Sequence, residues 1–255
     1  MGLRALNYML ATVGFAGHVL LTVELIRRKL ALRLPVFTIL IVFYVLRSEV
    51  FLLGSFAAIS VWPYWTLIAL DPVLELVLYA TIVIAWWRSA PGSNKQQILA
   101  ASGLVVMAAG WAGFTAWYVG PSSHFSAENL SIKASVFISV LWIEAGLALV
   151  ASRAGLLTQL PRFTRRVVQG FALYSAANVI TEIGHVHFGR VRATEPYLEL
   201  SYMRVGAYLV CLGLWIAASS REPQIPVRSA VIDTNAAIDA PDRSENRAPS
   251  AASTL

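Results

Sequence analysis

The chain has 255 residues, 57% hydrophobic and 13% charged, with a formal net charge of +6 and one cysteine. That balance excludes an ordinary soluble domain, and a lone cysteine excludes a disulfide within the chain. The basic excess is not a nucleic-acid signal, because the basic residues sort by loop between long apolar stretches.

Seven of these stretches are long enough to cross a bilayer: Ala5–Ile26, Leu34–Leu53, Trp65–Trp87, Ile98–Tyr118, Lys133–Ser152, Val167–Phe188 and Tyr197–Ser219. The expected fold class is all-α, a polytopic membrane protein whose seven-helix domain occupies residues 1–220. The first span carries His18 and, near its inner end, Glu24; it is too long for a signal peptide and runs into the basic cluster Arg27, Arg28, Lys29 and Arg33. The second opens on Leu34-Pro35-Val36-Phe37-Thr38 and carries Arg47 and Glu49. The third contains Asp71-Pro72-Val73-Leu74-Glu75-Leu76 and ends at Arg88. The fourth carries Gly103, Gly110 and Gly113, which are expected to let helices approach closely. Glu144 lies in the fifth span, and Arg153, Arg162, Arg165 and Arg166 precede or open the sixth. The sixth holds Asn178, Thr181, Glu182, His185 and His187; the seventh holds Glu199, Arg204 and Cys211. Residues 221–255 are rich in Ala, Ser, Pro and Arg without periodicity and are expected to form a disordered cytoplasmic tail.

Alternate loops are rich and poor in Arg and Lys. The positive-inside rule then places the N-terminus outside and the C-terminus in the cytoplasm. The expected location is a cell inner membrane, crossed many times, with the lipid bilayer as the main partner and no nucleic acid. A homo-oligomer stays open.

Two phrases recur. Leu34-Pro35-Val36-Phe37-Thr38 returns as Leu160-Pro161-Arg162-Phe163-Thr164, and Asp71-Pro72-Val73-Leu74-Glu75-Leu76 as Glu195-Pro196-Tyr197-Leu198-Glu199-Leu200, at nearly the same offset. Matched phrases at one offset predict an internal duplication. Residues 1–92 form repeat one, 93–130 a linker helix and 131–220 repeat two. Three helices reverse direction and the fourth restores it, so the two units run parallel. This three-one-three layout resembles that of the SWEET-type sugar transporters in span order and orientation. Those proteins carry a Pro-Gln pair within the repeated unit, whereas the Pro-Gln of this chain is Pro223-Gln224 in the tail. The resemblance therefore implies architecture by analogy only. Asp71 and Glu195 also read as helix N-caps, each followed by a proline at the first helical position.

Charges at membrane depth are expensive, roughly 2.5–3.5 kcal/mol each. Counting along the helices places Arg47, Glu49, Glu75, Glu182, Glu199 and Arg204 at or outside the midplane. The expectation is a polar cavity on the extracytoplasmic side, lined by these six as ligand-binding residues or by their mutual ion pairs. His18 and Glu144 occupy equivalent places in the two repeats near the midplane, where they could relay protons. Glu182 and His185 share a helix face and invite a metal reading that still lacks a third ligand. No metal, cofactor or catalytic residue is expected. Three functions remain open: a small-solute transporter acting on a polar or ionic solute, a non-enzymatic membrane sensor or interaction protein, and an intramembrane metal-dependent enzyme.

Overall fold

A computed structural model of the chain describes residues 3–54, 61–89, 95–119, 127–151, 160–188 and 194–222. Among these residues there are helices and short turns and no strand. Seven long helices and one single turn follow in order: α1 Leu3–Arg27, α2 Leu30–Arg33, α3 Pro35–Gly54, α4 Val61–Ser89, α5 Lys95–Val119, α6 Ala127–Ala151, α7 Arg162–Phe188 and α8 Thr194–Arg221. The tail from Pro223 onward, expected to be disordered, lies outside the described residues, while Arg221 belongs to α8.

Local chemistry sets the breaks. Lys29 takes the left-handed conformation, with φ 58°, and turns the chain out of α1. The α2 turn follows, and Pro35 then opens α3 with the φ of a first helical residue and no amide hydrogen to leave unpaired. Glu222, just past α8, accepts from Arg28 through its carbonyl at 2.8 Å and pairs with Arg33 at 3.5 Å. The end of α8 is thereby tied to the α1–α3 turn.

The long helices pack as a ring. α1 lies against α3 and α8, α3 against α4, α4 against α6, α6 against α7, and α7 against α8. The order around the ring is α1, α3, α4, α6, α7, α8. α5 stands outside it, on α6 with a slight contact to α7. Gly17 lets α1 close on Leu212 of α8, and Gly146 lets α6 close on Ala172 of α7. Of the three α5 glycines expected to let helices approach closely, Gly110 and Gly113 have no neighbour within 4 Å, and Gly103 lies outside the residues whose surroundings are described. α5 meets the core through Ala108, Ala112 and Ala116 instead.

The end of the bundle nearest the α1–α3 turn is filled by aromatic rings. Trp142 stacks on Phe171 at 4.6 Å, and Phe37 meets Phe163, Phe171 and Trp215 edge-on at 5.9, 6.3 and 5.4 Å. All five are buried. Beside them the Cys211 thiol donates to the Gly170 carbonyl at 3.1 Å.

Polarity runs inside out. Val13, Leu20, Val23, Ile39, Val106 and Met107 are exposed, while His18, Glu75, Ser139, Asn178, Thr181 and Glu182 are buried. An apolar surface around a polar interior fits hydrocarbon, where backbone groups must bond within each helix. By length and composition, 4 described stretches can cross a membrane: Ala5–Arg27, Thr66–Arg88, Asn129–Val150 and Glu195–Arg221. The chain is thus a multi-pass, all-helical protein of the lipid bilayer. α7 is long but carries Arg162, Arg165 and Arg166 at its start and Asn178 and Glu182 inside it, which lowers its apolar character.

One expected cap is corrected. α4 begins at Val61, so Asp71 and Pro72 lie inside the helix and not at its start. Glu195, by contrast, does fall in the first turn of α8, where an acid faces the positive end of the helix dipole.

Candidate functional site

A cavity of about 660 Å³ occupies the half of the bundle away from the aromatic plug. All six ring helices contribute to it. α1 supplies Gly14 and His18, α3 Tyr44 and Arg47, α4 Asp71 and Glu75, α6 Ser135 and Ser139, α7 Tyr174 and Asn178 with Glu182, and α8 Arg204 and Tyr208. α5 supplies none.

The polar groups bridge neighbouring helices. Arg47 of α3 pairs with Asp71 of α4. Arg204 of α8 pairs with Glu182 of α7 at 2.7 Å and also donates to the Asn178 side-chain carbonyl at 3.2 Å. The Asn178 amide in turn donates to Ser139 at 2.9 Å and Ser135 at 3.0 Å, joining α7 to α6. Thr181 donates to the Leu200 carbonyl of α8 at 3.2 Å. These bonds give α7 polar partners on both sides, and interhelical bonds of this kind hold helices together where no hydrophobic force can.

The floor is aromatic. His18 Nε2 shares a hydrogen bond with the Tyr208 hydroxyl. Its ring lies 5.5 Å from both Tyr44 and Tyr208, and Tyr174 meets Tyr208 edge-on at 5.3 Å. The Tyr44 hydroxyl donates to Glu75 Oε1 at 3.0 Å, and the Arg47 guanidinium lies 5.9 Å above the Tyr44 ring. Below this layer begins the plug of Phe37, Trp142, Phe171 and Trp215.

Pro72 also bears on the wall. A proline inside a helix has no amide hydrogen for the carbonyl four residues back. That carbonyl belongs to Ile68, which lines the cavity with Asp71 and Pro72.

The structure brings together Arg47, Glu75, Glu182, Arg204 and His18. It does not bring in Glu49, Glu199 or Glu144: the first two are exposed, and Glu144 lies off the cavity, within electrostatic reach of Tyr79. Counting along a helix yields height but not azimuth: Glu49 and Glu199 face away from the cavity, and Glu144 lies past Trp142 on α6, level with the plug. Of the two residues expected to relay protons, His18 lines the cavity and Glu144 does not. The metal reading meets a different geometry. Glu182 is held by Arg204, and His185 stacks on Tyr197 at 3.8 Å and bonds to Ser201 at 3.2 Å. Among the described residues no group of three His, Cys, Asp or Glu is placed to hold a metal.

Asp71 was expected as a cap and is instead a wall residue. Tyr44, Tyr174 and Tyr208 were not expected at all. Tyr44 lies three residues before Arg47, Tyr174 four before Asn178, and Tyr208 four after Arg204. That helical spacing puts each on the face of a residue already singled out. Comparison with protein-family models, with curated protein sequences and with solved structures finds no match.

Proposed function

We propose that this protein carries a small polar or ionic solute across the membrane, with the six-helix cavity as its substrate site. The observation that carries the reading is the cavity itself: charged, of ligand size, lined by every ring helix and by no residue of α5. A parallel three-one-three repeat accounts for that pattern. Its two-fold axis would exchange α1, α3 and α4 with α6, α7 and α8, and the ring order given above maps onto itself under that exchange. Phe37 and Phe163, which hold the same place in the two copies of the repeated phrase, touch at 5.9 Å, as residues next to such an axis would. Parallel repeats place a substrate path at their interface. In this reading the N-terminus faces outward, the cavity opens on the extracytoplasmic side of a cell inner membrane, and the aromatic plug closes the cytoplasmic side.

The test is solute flux. Purified protein in vesicles is assayed for uptake of labelled sugars, amino acids and organic ions. Counterflow that depends on the protein and falls on Arg204→Leu supports the reading. Absence of flux for all three classes overturns it.

A second reading is favoured by the plug. A cavity that ends blindly above packed rings suits a membrane sensor, with the end of α8 clasped by Arg28 and Arg33 as its link to the cytoplasm. Ligand binding without flux would favour it.

A further inference from the structure

We infer that the cavity takes a small organic cation, with Glu75 as its counter-ion and Tyr174 and Tyr208 as ring walls; this rests on the reading of the cavity as a ligand site. Among the described residues, five charged side chains line the cavity: Arg47, Asp71, Glu75, Glu182 and Arg204. Two ion pairs, Arg47 with Asp71 and Arg204 with Glu182, account for four of them. Glu75 is left over. It is only 6% exposed, and among the described residues no ion pair reaches it. Its Oε1 accepts from a neutral hydroxyl, that of Tyr44, at 3.0 Å.

A buried carboxylate without a cation is unfavourable at membrane depth. A cationic ligand supplies the missing charge, and an anion would add to the surplus. The surroundings suit a cation of the organic kind. Tyr44, Tyr174 and Tyr208 lie together beside the acid, and tyrosine ring faces attract alkylammonium groups. Tyr44 already holds the Arg47 guanidinium at 5.9 Å. A metal ion would need several oxygen ligands gathered on one centre, and Asp71 and Glu182 are already paired with arginines, while an alkylammonium needs only one carboxylate and ring faces. The arginines are engaged by Asp71 and Glu182, so neither is the natural seat of a carboxylate ligand.

The experiment is calorimetric titration of the full-length protein in detergent micelles. The probe is tetraethylammonium chloride; sodium chloride, sodium benzoate and glycine betaine are run at matched ionic strength. Saturable binding of tetraethylammonium, and none of benzoate, is expected. Glu75→Gln should weaken that binding about tenfold or more. Glu199→Gln, at the exposed copy of the same phrase, should leave it unchanged. If Glu75→Gln does not fold, Tyr174→Leu is the second variant and should weaken binding several-fold with the charges intact. Benzoate or betaine binding more tightly than tetraethylammonium overturns the inference, as does tetraethylammonium binding that survives both variants. Cation binding without vesicle flux sustains it while removing transport. Flux of a neutral or anionic solute without cation binding removes it and leaves transport standing.

Discussion

Arg204 is held from two directions, by Glu182 at 2.7 Å and by the Asn178 carbonyl at 3.2 Å, and its removal leaves a largely buried acid alone. Arg204→Leu should cost about 3 kcal/mol, the low end for breaking a buried pair, since Arg204 keeps 34% side-chain exposure. The double change Arg204→Leu with Glu182→Leu should recover much of that, because no buried charge is left behind. Reversible unfolding in mixed micelles measures both, and equal losses in the single and double variants would refute the pairing. Packing gives a sharper contrast. A methyl group at Gly170 would collide with the Trp215 ring, whereas one at Gly110 would meet nothing within 4 Å. Gly170→Ala should therefore cost about 1–3 kcal/mol by overpacking, and Gly110→Ala should stay within about 0.5 kcal/mol. Similar values for the two would mean that the α7–α8 contact is looser than described.

At the level of a helix, α4 and α8 show how one phrase can serve two purposes. In α8 the Glu195-Pro196 pair opens the helix, where proline costs nothing. In α4 the matching Asp71-Pro72 pair lies ten residues into the helix, because α4 starts at Val61. There the proline interrupts the hydrogen-bond ladder beside Ile68 and Asp71. Such breaks are tolerated in membrane helices when the loosened groups face a cavity. Pro72→Ala should restore the bond to Ile68, raise thermal stability and reduce ligand affinity; Pro196→Ala should do neither. Thermal unfolding and titration on the same preparations check this, and a Pro72→Ala protein that binds as well as the parent would remove the proline from the site.

On the scale of the whole molecule, the proposed orientation can be read from labelling once the single native cysteine is removed by Cys211→Ala. Cysteines placed at Lys29 and Glu195 should react with an impermeant maleimide from opposite faces of the membrane, Glu195 from outside; labelling of both from one face would refute the proposed orientation. Much of this architecture was legible in the sequence. Apolar length announced the helices, and the rarity of charge among them pointed to Arg47, Glu75, Glu182 and Arg204. What remained illegible was rotation about each helix axis. Glu49 and Glu199 are the same residue type as Glu75 and Glu182 in neighbouring turns, and only packing decides which acid turns inward. The tyrosines stayed hidden for another reason: in an apolar span an aromatic side chain looks like filler, and its hydroxyl signals nothing until a partner such as Glu75 or His18 is across from it.

The two ion pairs also differ in sense. In the proposed repeat, Arg47 lies on the second long helix of one unit with the acid on the third, while Glu182 lies on the second of the other with the arginine on the third. Around the ring the positive charges of α3 and α8 then flank α1, and the negative charges of α4 and α7 flank α6. Identical pairs related by a two-fold axis would cancel any transverse dipole. Reversed pairs add instead, giving an electric field across the cavity from the α1 wall toward the α6 wall, and Glu75 on α4 strengthens it. Such a field turns an entering dipole before any contact forms, with its positive end toward α4, α6 and α7. A charge swap of Arg204 and Glu182 would cancel the contribution of the two pairs and leave that of Glu75, so the field would weaken and turn toward α4 although the net charge of the site is conserved.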